Sequence, residues 1–180
     1  MAGGFRPIQD ISGNSYTGKI QTFAVASGHS TLIAVGDLAR ITGTANANGL
    51  AEVDTAATAQ TLTGPIVAID YDISDLERKG LAAGTAGTVK VAVDRDLLME
   101  AESSTTVSLD DVGSNADIVA AVATASGNLV NSNMTVNTTS PGSATAQIRI
   151  EGIKDAADGL STGTTLFVRI NESTLGVVGV

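Results

Sequence analysis

The chain of 180 residues contains no cysteine and no tryptophan. Without cysteine it can form no disulfide framework, no thiolate nucleophile and no Cys-ligated metal site. Aromatic residues make up only 3% of the chain, so a binding surface built on aromatic anchors is not expected. The hydrophobic fraction of 43% is carried mainly by Ala, Val, Ile and Leu. The stability of the fold must therefore come from the packing of aliphatic side chains.

Positive charge is also scarce. Ten Lys and Arg residues stand against nineteen Asp and Glu residues, which gives a net charge of −9 and an isoelectric point near 4.3. This balance opposes the phosphate neutralisation that drives nucleic-acid binding, so no nucleic-acid partner is expected. No apolar run approaches the roughly 18 residues of a membrane helix, and the N-terminus lacks a secretory signal pattern. We therefore expect no membrane partner and a chain that folds in a cytoplasm.

What the sequence does contain is a series of short β-type segments separated by turn residues. Residues 1–18 are interrupted by Gly and Pro and predict an extended N-terminal arm, and residues 19–180 predict a single domain. Recurring short strands with regular turn signals are typical of an all-β sandwich or barrel. The predicted strands cover residues 19–26, 30–35, 38–42, 61–71, 87–93, 105–109, 128–136, 139–153 and 164–170.

Small and aliphatic side chains alternate with polar side chains between residues 144 and 151. The alternation predicts a strand that buries one face. The predicted buried residues are Ala144, Ala146, Ile148 and Ile150, and the predicted outward residues are Thr145, Gln147, Arg149 and Glu151. Turns are predicted at Ser27-Gly28 and Gly36-Asp37, and one helical turn is predicted at 74–80. In residues 114–126 a capping box at Ser114 and Asp117 would suit a helix, but the β-branched Ile118, Val119 and Val122 favour strand or irregular structure.

The search for catalytic chemistry finds no established motif. The single histidine, His29, lies in the segment "ASGHST" and is interpreted as a surface turn residue. The segment "GLAAGTAG" at 80–87 resembles a phosphate-binding loop, but a strand follows it instead of a helix. It is therefore interpreted as a connection between strands. The sequence predicts no catalytic residue and no cofactor site.

Acidic residues cluster in "DYDISDLE", where Asp70, Asp72, Asp75 and Glu77 are the best metal-ligand candidates. The spacing departs from the calcium-binding loop, because Asp75 occupies the position of the sharp-turn Gly and Leu81 that of the bidentate Glu. A solvated acidic edge is the favoured interpretation, and an adventitious or structural cation stays the alternative. The pairs Asp94/Asp96 and Asp110/Asp111 are interpreted as turn residues. No metal site is predicted.

The pattern of the whole chain resembles the head decoration, or structural cement, proteins of tailed bacteriophages. The segments that carry the resemblance are "GGFRPI", "GHSTLIAVGDLARIT", "TGPIVAIDYD", "VKVAVDRDLLMEAE", "DVGSNADIV", "ATAQIRIEGIKD" and "TTLFVRINESTL". The resemblance implies a jelly-roll-like or β-barrel protein that assembles in the host bacterial cytoplasm and lies on the capsid exterior of the virion. It also implies two partners, the major capsid protein and further copies of this chain in a homodimer or homotrimer.

The predicted contact residues lie in the arm and are Phe5, Pro7, Ile8 and Ile11. An extended segment can add a strand to an exposed sheet edge and place alternate apolar side chains in pockets. A loose terminal tail is the alternative for this segment. The alternative function is a carbohydrate- or receptor-binding β-module of a phage tail or adhesin, although few aromatic residues are available to stack on sugars. An all-β hydrolase using His29 and the Asp70/Asp72 pair is a third hypothesis, and no enzymatic activity is expected.

Overall fold

The computed structural model describes residues 3–16, 18–70, 79–139, 141–155 and 160–174. Within these ranges the secondary structure consists of β-strands and one turn of 3₁₀ helix, Leu109–Asp111. The predicted all-β class, with a barrel, is confirmed. No helix in the described ranges is long and apolar enough to cross a membrane.

Five strands close into a barrel. In spatial order they are β2 (Ile20–Val25), β5 (Ala51–Thr55), β4 (Leu38–Ala45), β6 (Gly64–Ile69) and β8 (Gly87–Ala92). All neighbouring pairs are antiparallel except β2 and β5, which meet in parallel at Ala24 and Glu52. The barrel encloses a compact aliphatic core around Phe23, which is 2% exposed.

A five-stranded antiparallel sheet forms the second large element. Its order is β1 (Arg6–Asp10), β9 (Leu97–Glu102), β16 (Thr165–Ile170), β15 (Ile148–Ile153) and β10 (Asn115–Ala116). Shorter pairs complete the fold, namely β3 (Ile33–Ala34) with β7 (Gly80–Leu81), β11 (Ile118–Val119) with β14 (Thr135–Val136), and β12 (Thr124–Ser126) with β13 (Leu129–Asn131). The inner face of the five-stranded sheet covers a second hydrophobic core.

The two cores share a wall made by β4 and β8. Leu38 belongs to the core under the five-stranded sheet and Ala39 to the barrel core, while Val91 lies in the barrel core and Ala92 in the other. Successive side chains of a strand point to opposite faces, so one strand serves both cores. Gly64 of β6 allows the close approach to this wall, because a Cβ there would lie 1.8 Å from the Ala92 carbonyl oxygen.

The N-terminal segment is part of this architecture. Residues 6–10 form the edge strand β1, which pairs with β9. The Phe5 side chain is 1% exposed and lies in the core under the five-stranded sheet, and its N–H donates to the Gly36 carbonyl at 2.8 Å. The extended conformation predicted for this segment is present, but Phe5 is bound within its own chain.

Several predicted strands are confirmed with shifted limits. Residues 19–26, 87–93 and 164–170 contain β2, β8 and β16, and residues 114–126 contain short strands rather than a helix, as favoured. The prediction of a strand at 105–109 is wrong. Ser108 starts the 3₁₀ turn instead, since its side chain accepts from the Asp110 N–H while Asp111 accepts from the Ser108 N–H. The predicted helical turn at 74–80 lies mostly outside the described residues.

The strand predicted at 139–153 begins only at Ile148. The alternation of buried and outward side chains predicted for residues 144–147 is therefore not observed. Ala144 is exposed, and Gln147, which was predicted to face outward, is 0% exposed. The Gln147 side-chain amide donates to the carbonyls of Ala57 and Gln60 at 2.9 and 2.7 Å, and its oxygen accepts from the Ile118 N–H. These bonds satisfy a buried polar group, which is why burial is tolerated.

The sequence pattern does not predict the strand β9, because Asp94 and Asp96 are interpreted as turn residues and no strand is assigned to the residues after them. Asp94 and Asp96 do mark a turn, in which the Asp94 carboxylate accepts from the Asp96 N–H at 3.2 Å. Glu100 instead lies within the strand and is only 9% exposed.

We expect Phe5→Ala to lower the free energy of unfolding by about 3–5 kcal/mol, because it leaves a cavity in a well-packed core. Denaturant unfolding of the full chain measures the change. Ile11→Ala is the matched control from the same segment, and because Ile11 is 49% exposed it is expected to change stability by less than about 0.5 kcal/mol. Equal effects of the two substitutions would contradict the placement of Phe5.

Candidate interaction surface

The four predicted arm residues differ in how far they are available to a partner. Phe5 is buried, Pro7 and Ile8 are half-buried, and Ile11 is 49% exposed. Ile11 lies at the tip of a tight turn in which the Asp10 N–H donates to the Asn14 carbonyl and the Asn14 N–H donates to the Asp10 carboxylate. The structure does not bring all four side chains to one surface, and Ile11 is the one that protrudes.

The segment is fastened to the outer face of the sheet by a charged cluster. Glu100 accepts from the Arg6 guanidinium and, at 2.7 Å, from Lys154 Nζ. Burial raises the pKa of Glu100, but its two cationic partners lower the pKa by more than burial raises it. The pKa of Glu100 therefore lies below its usual value. A second cluster on this face pairs Glu151 with Arg149 and Arg169.

His29 lies in the predicted turn but is only 6% exposed, so the prediction of a surface residue is wrong. Its Nδ1 lies 2.9 Å from the Thr31 carbonyl oxygen and its Nε2 lies 2.9 Å from that of Thr85. The His29 carbonyl also accepts from the Gly84 N–H. The ring therefore lies between two loops of the barrel, with a backbone carbonyl oxygen beside each ring nitrogen.

The remaining motifs are located as follows. The segment 80–87, predicted as a connection between strands, contains the short strand β7 and the first residue of β8, so only residues 82–86 connect the two strands. Asp70 accepts from the Thr88 hydroxyl, whereas Asp72, Asp75 and Glu77 lie outside the described residues. Among the described side chains, no three His, Asp or Glu residues are grouped as a metal site would require.

One long part of the chain carries no charge. Residues 118–148 contain no Asp, Glu, Lys, Arg or His, and we call them the uncharged segment. Within it, β12 and β13 form an antiparallel hairpin, extended by a bond of 2.7 Å from Asn133 Nδ2 to the Val122 carbonyl. We call residues 122–133 the uncharged hairpin. It was not recognised from the sequence, although the run without ionisable residues was visible there.

The uncharged hairpin has one face on the molecule and one in solvent. Ala123 and Ser132 are buried, and Val130 packs against Gly80. Val122 and Leu129 lie on the opposite face and are 54% and 56% exposed. Leu129 pairs with Ser126 and the two side chains share a face, whereas Val122 lies two residues before β12. The hairpin thus presents apolar and neutral polar groups to solvent.

A small cavity of about 150 Å³ lies between this segment and the barrel. Its lining includes Leu32, Ala56, Ala121 and Met134, the hydroxyl residues Thr31 and Thr55, and one ionisable residue, Asp37. We call it the Asp37 cavity. Its walls are mostly apolar, so its single carboxyl group is the chemically distinctive feature.

Asp37 belongs to the predicted Gly36-Asp37 turn, which the structure confirms. Gly36 has φ of 95°, a conformation that favours glycine. The Asp37 carboxylate is buried at 1% exposure, and its Oδ2 accepts from the Ala34 N–H at 2.7 Å. Its Oδ1 is buried as well. Burial raises the pKa of Asp37, against the opposing effects of the Ser132 hydroxyl and the Ala34 N–H.

A larger polar cleft of about 500 Å³ opens at the end of β16. Its lining includes Arg95, Asp96, Arg169, Asn171 and Glu172. It offers hydrogen-bond donors and acceptors of both charge signs, and none of the described residues in its lining is aromatic. The cleft is therefore suited to a strongly polar ligand rather than an apolar one.

We expect Glu100→Gln to lower the free energy of unfolding at pH 7 by about 1–3 kcal/mol, since two charge-assisted hydrogen bonds are weakened. The folded-state pKa of Glu100 is lowered from 4.5, so its contribution is present above pH 4.5 and is lost as the pH falls through the folded-state pKa. The free energies of unfolding of the wild type and of Glu100→Gln should therefore converge at low pH, and urea unfolding at several pH values measures this. Glu102→Gln, on the same strand, is the control, and a difference from wild type that persists unchanged in acid would contradict the role of Glu100.

Comparison of the chain with protein-family models, with curated proteins and with solved structures finds no match.

Proposed function

We propose that this protein is a structural virion protein that binds the outer surface of an expanded icosahedral capsid and joins neighbouring subunits of the major capsid protein. The partner comes from the resemblance to head decoration proteins. The observation that carries the proposal is the uncharged hairpin, which exposes Val122 and Leu129. It offers a contact surface for a large protein partner.

The composition of this surface suits a protein interface. The centres of protein interfaces are depleted of charged residues, because a charge without a partner loses its hydration there. Every ionisable side chain of the protein lies outside residues 118–148. The excess negative charge lies outside this segment, so the segment itself imposes no like-charge repulsion on a partner. Ile11 offers a second exposed apolar contact.

The proposed mechanism is stabilisation by binding. A protein that binds the assembled lattice but not free coat subunits stabilises the lattice by about 2.7 kcal/mol at 100 times its dissociation constant. A homodimer or homotrimer that engages several subunits increases the apparent affinity by a factor of about 10² to 10⁴. Such a role needs no catalytic residue.

The test is co-sedimentation of the full chain with empty expanded shells. We expect Leu129→Asp to weaken binding at least tenfold, because it places a charge in the contact surface. Leu109→Asp is the matched control, since Leu109 is 63% exposed and lies outside the uncharged segment. Circular dichroism verifies that both variants fold. Full binding by the Leu129 variant would exclude the hairpin as the contact, and absence of binding by the wild type would refute the proposed function.

A second candidate function, a carbohydrate-binding module, is favoured by the polar cleft at the end of β16. Arg95, Asp96 and Asn171 could hydrogen-bond sugar hydroxyl groups there. The discriminating measurement is a glycan array. Under the decoration proposal no glycan is bound, whereas clear binding that is abolished by Arg95→Ala would establish the carbohydrate-binding alternative.

A further inference from the structure

The uncharged hairpin has a strand edge that the molecule leaves open. The strand β12 pairs with β13 on one side, and no strand among the described residues pairs with its other side. All three residues of β12 are exposed. The strand β13 lies nearer the body of the molecule, where Val130 packs against Gly80. The open edge of β12 is therefore a place where the strand of another molecule can be added.

The pairing register shows which backbone groups point to the open edge. Ser126 and Leu129 close a two-residue turn, so they form a hydrogen-bonded pair of the hairpin. Hydrogen-bonded and non-hydrogen-bonded pairs alternate along antiparallel strands, which makes Ala125 and Val130 a non-hydrogen-bonded pair. The N–H and the carbonyl of Ala125 therefore point away from β13. Outside the strand ladders, no backbone hydrogen bond between described residues uses these two groups.

This edge lacks most of the features by which proteins prevent strand addition. Such edges usually carry a lysine, a proline or a bulge, or they are covered by another segment. Residues 118–148 contain no charged side chain, and β12 contains no proline. The register between β12 and β13 shows no bulge. Only the short length of β12, three residues, limits how strongly another strand can bind.

The open edge is complementary to itself. When two identical strands pair antiparallel about a two-fold axis, the same atoms of both copies meet. With the axis at Ala125, the N–H of each Ala125 donates to the Ala125 carbonyl of the other copy. Thr124 then lies opposite Ser126 of the second copy, and hydroxyl side chains form favourable cross-strand pairs. In a chain of net charge −9, this pairing brings no charged side chains of the two strands together.

Resting on the proposed function, we propose that β12 pairs with β12 of a second copy and that the resulting dimer binds the capsid through both uncharged hairpins. Side chains that lie opposite each other in an antiparallel sheet point to the same face. Leu129 shares a face with Ser126 in each hairpin. The dimer therefore presents both Leu129 side chains on one face of a four-stranded sheet. Two apolar contacts then act on one shell surface, which raises the apparent affinity without a new type of contact.

The first experiment measures self-association of the full chain by sedimentation velocity, without any capsid. We expect a reversible monomer–dimer equilibrium with a Kd on the order of 100 μM, because the paired edge is short. A wild-type protein that stays monomeric up to about 1 mM would overturn the proposal.

Three variants make this measurement specific to the edge. Ala125→Pro removes an N–H that β13 does not use, and it should raise the Kd of the dimer at least tenfold. Ala125→Lys keeps the N–H but places like charges opposite each other at the two-fold axis, so the same loss is expected even if proline disturbs the hairpin. Ala47→Lys is the matched control, because Ala47 is exposed in the turn between β4 and β5. It should leave the Kd unchanged, and an equal effect of both lysine substitutions would contradict the assignment.

The second experiment locates the two-fold axis. The chain has no cysteine, so Ala125→Cys introduces its only thiol. A short bis-methanethiosulfonate reagent should cross-link this variant to a covalent dimer, whereas Ala47→Cys should stay monomeric under the same conditions. Equal cross-linking of the two variants would show that Ala125 does not lie at the dimer axis.

The third experiment separates the dimer from the proposed function. Leu129→Asp changes the face of the hairpin, one strand away from the open edge, so it should keep the dimer and lose binding to expanded shells. Ala125→Lys should lose the dimer and bind shells at least tenfold more weakly; unchanged shell binding would refute the bivalent contact. If the wild type forms the dimer but does not bind shells, the proposed function fails and the dimer stands. If the wild type binds shells as a monomer, the dimer fails and the proposed function stands.

Discussion

The architecture depends on the start of β4 and the end of β8, where neighbouring residues belong to two different hydrophobic cores. Leu38 and Ala92 pack under the five-stranded sheet, while Ala39 and Val91 pack inside the barrel. A shift of one residue in either strand would exchange the two sets and place each in the wrong core. Gly64 allows the strands to approach at this wall. The barrel and the sheet are therefore stabilised together, without disulfides or large aromatic clusters.

The N-terminal segment and the Asp37 cavity both lie next to this wall, because both contact the Gly36-Asp37 turn, which directly precedes Leu38. The Gly36 carbonyl accepts a hydrogen bond from the Phe5 N–H, and the Asp37 carbonyl accepts one from the Ile66 N–H. The Asp37 side chain closes its own turn through Ala34 and lines the cavity beside the uncharged segment. A turn that is needed to start β4 thus also buries a carboxylate beside the uncharged segment.

Charge is distributed unevenly over the molecule. The charged part stabilises the fold, and the uncharged part provides the surface of the proposed function. Charged side chains on the outer face of the sheet compensate one another, as Glu100 does with Arg6 and Lys154. The uncharged hairpin has no such network and exposes Val122 and Leu129 instead. The first arrangement fastens the N-terminal segment to the sheet. The second leaves a surface whose burial against a partner would cost little desolvation of charge.

The sequence by itself determined the all-β class, most of the longer strands and the Gly36-Asp37 turn, because alternation and turn chemistry are local properties of the chain. Only the tertiary structure decided which polar residues are buried. Glu100 meets Arg6 across 94 positions of sequence, and Gln147 meets the Ala57 carbonyl across 90. His29 is covered by a loop that lies 56 residues away. Burial of a polar group depends on partners brought together by folding, and no local pattern encodes such partners.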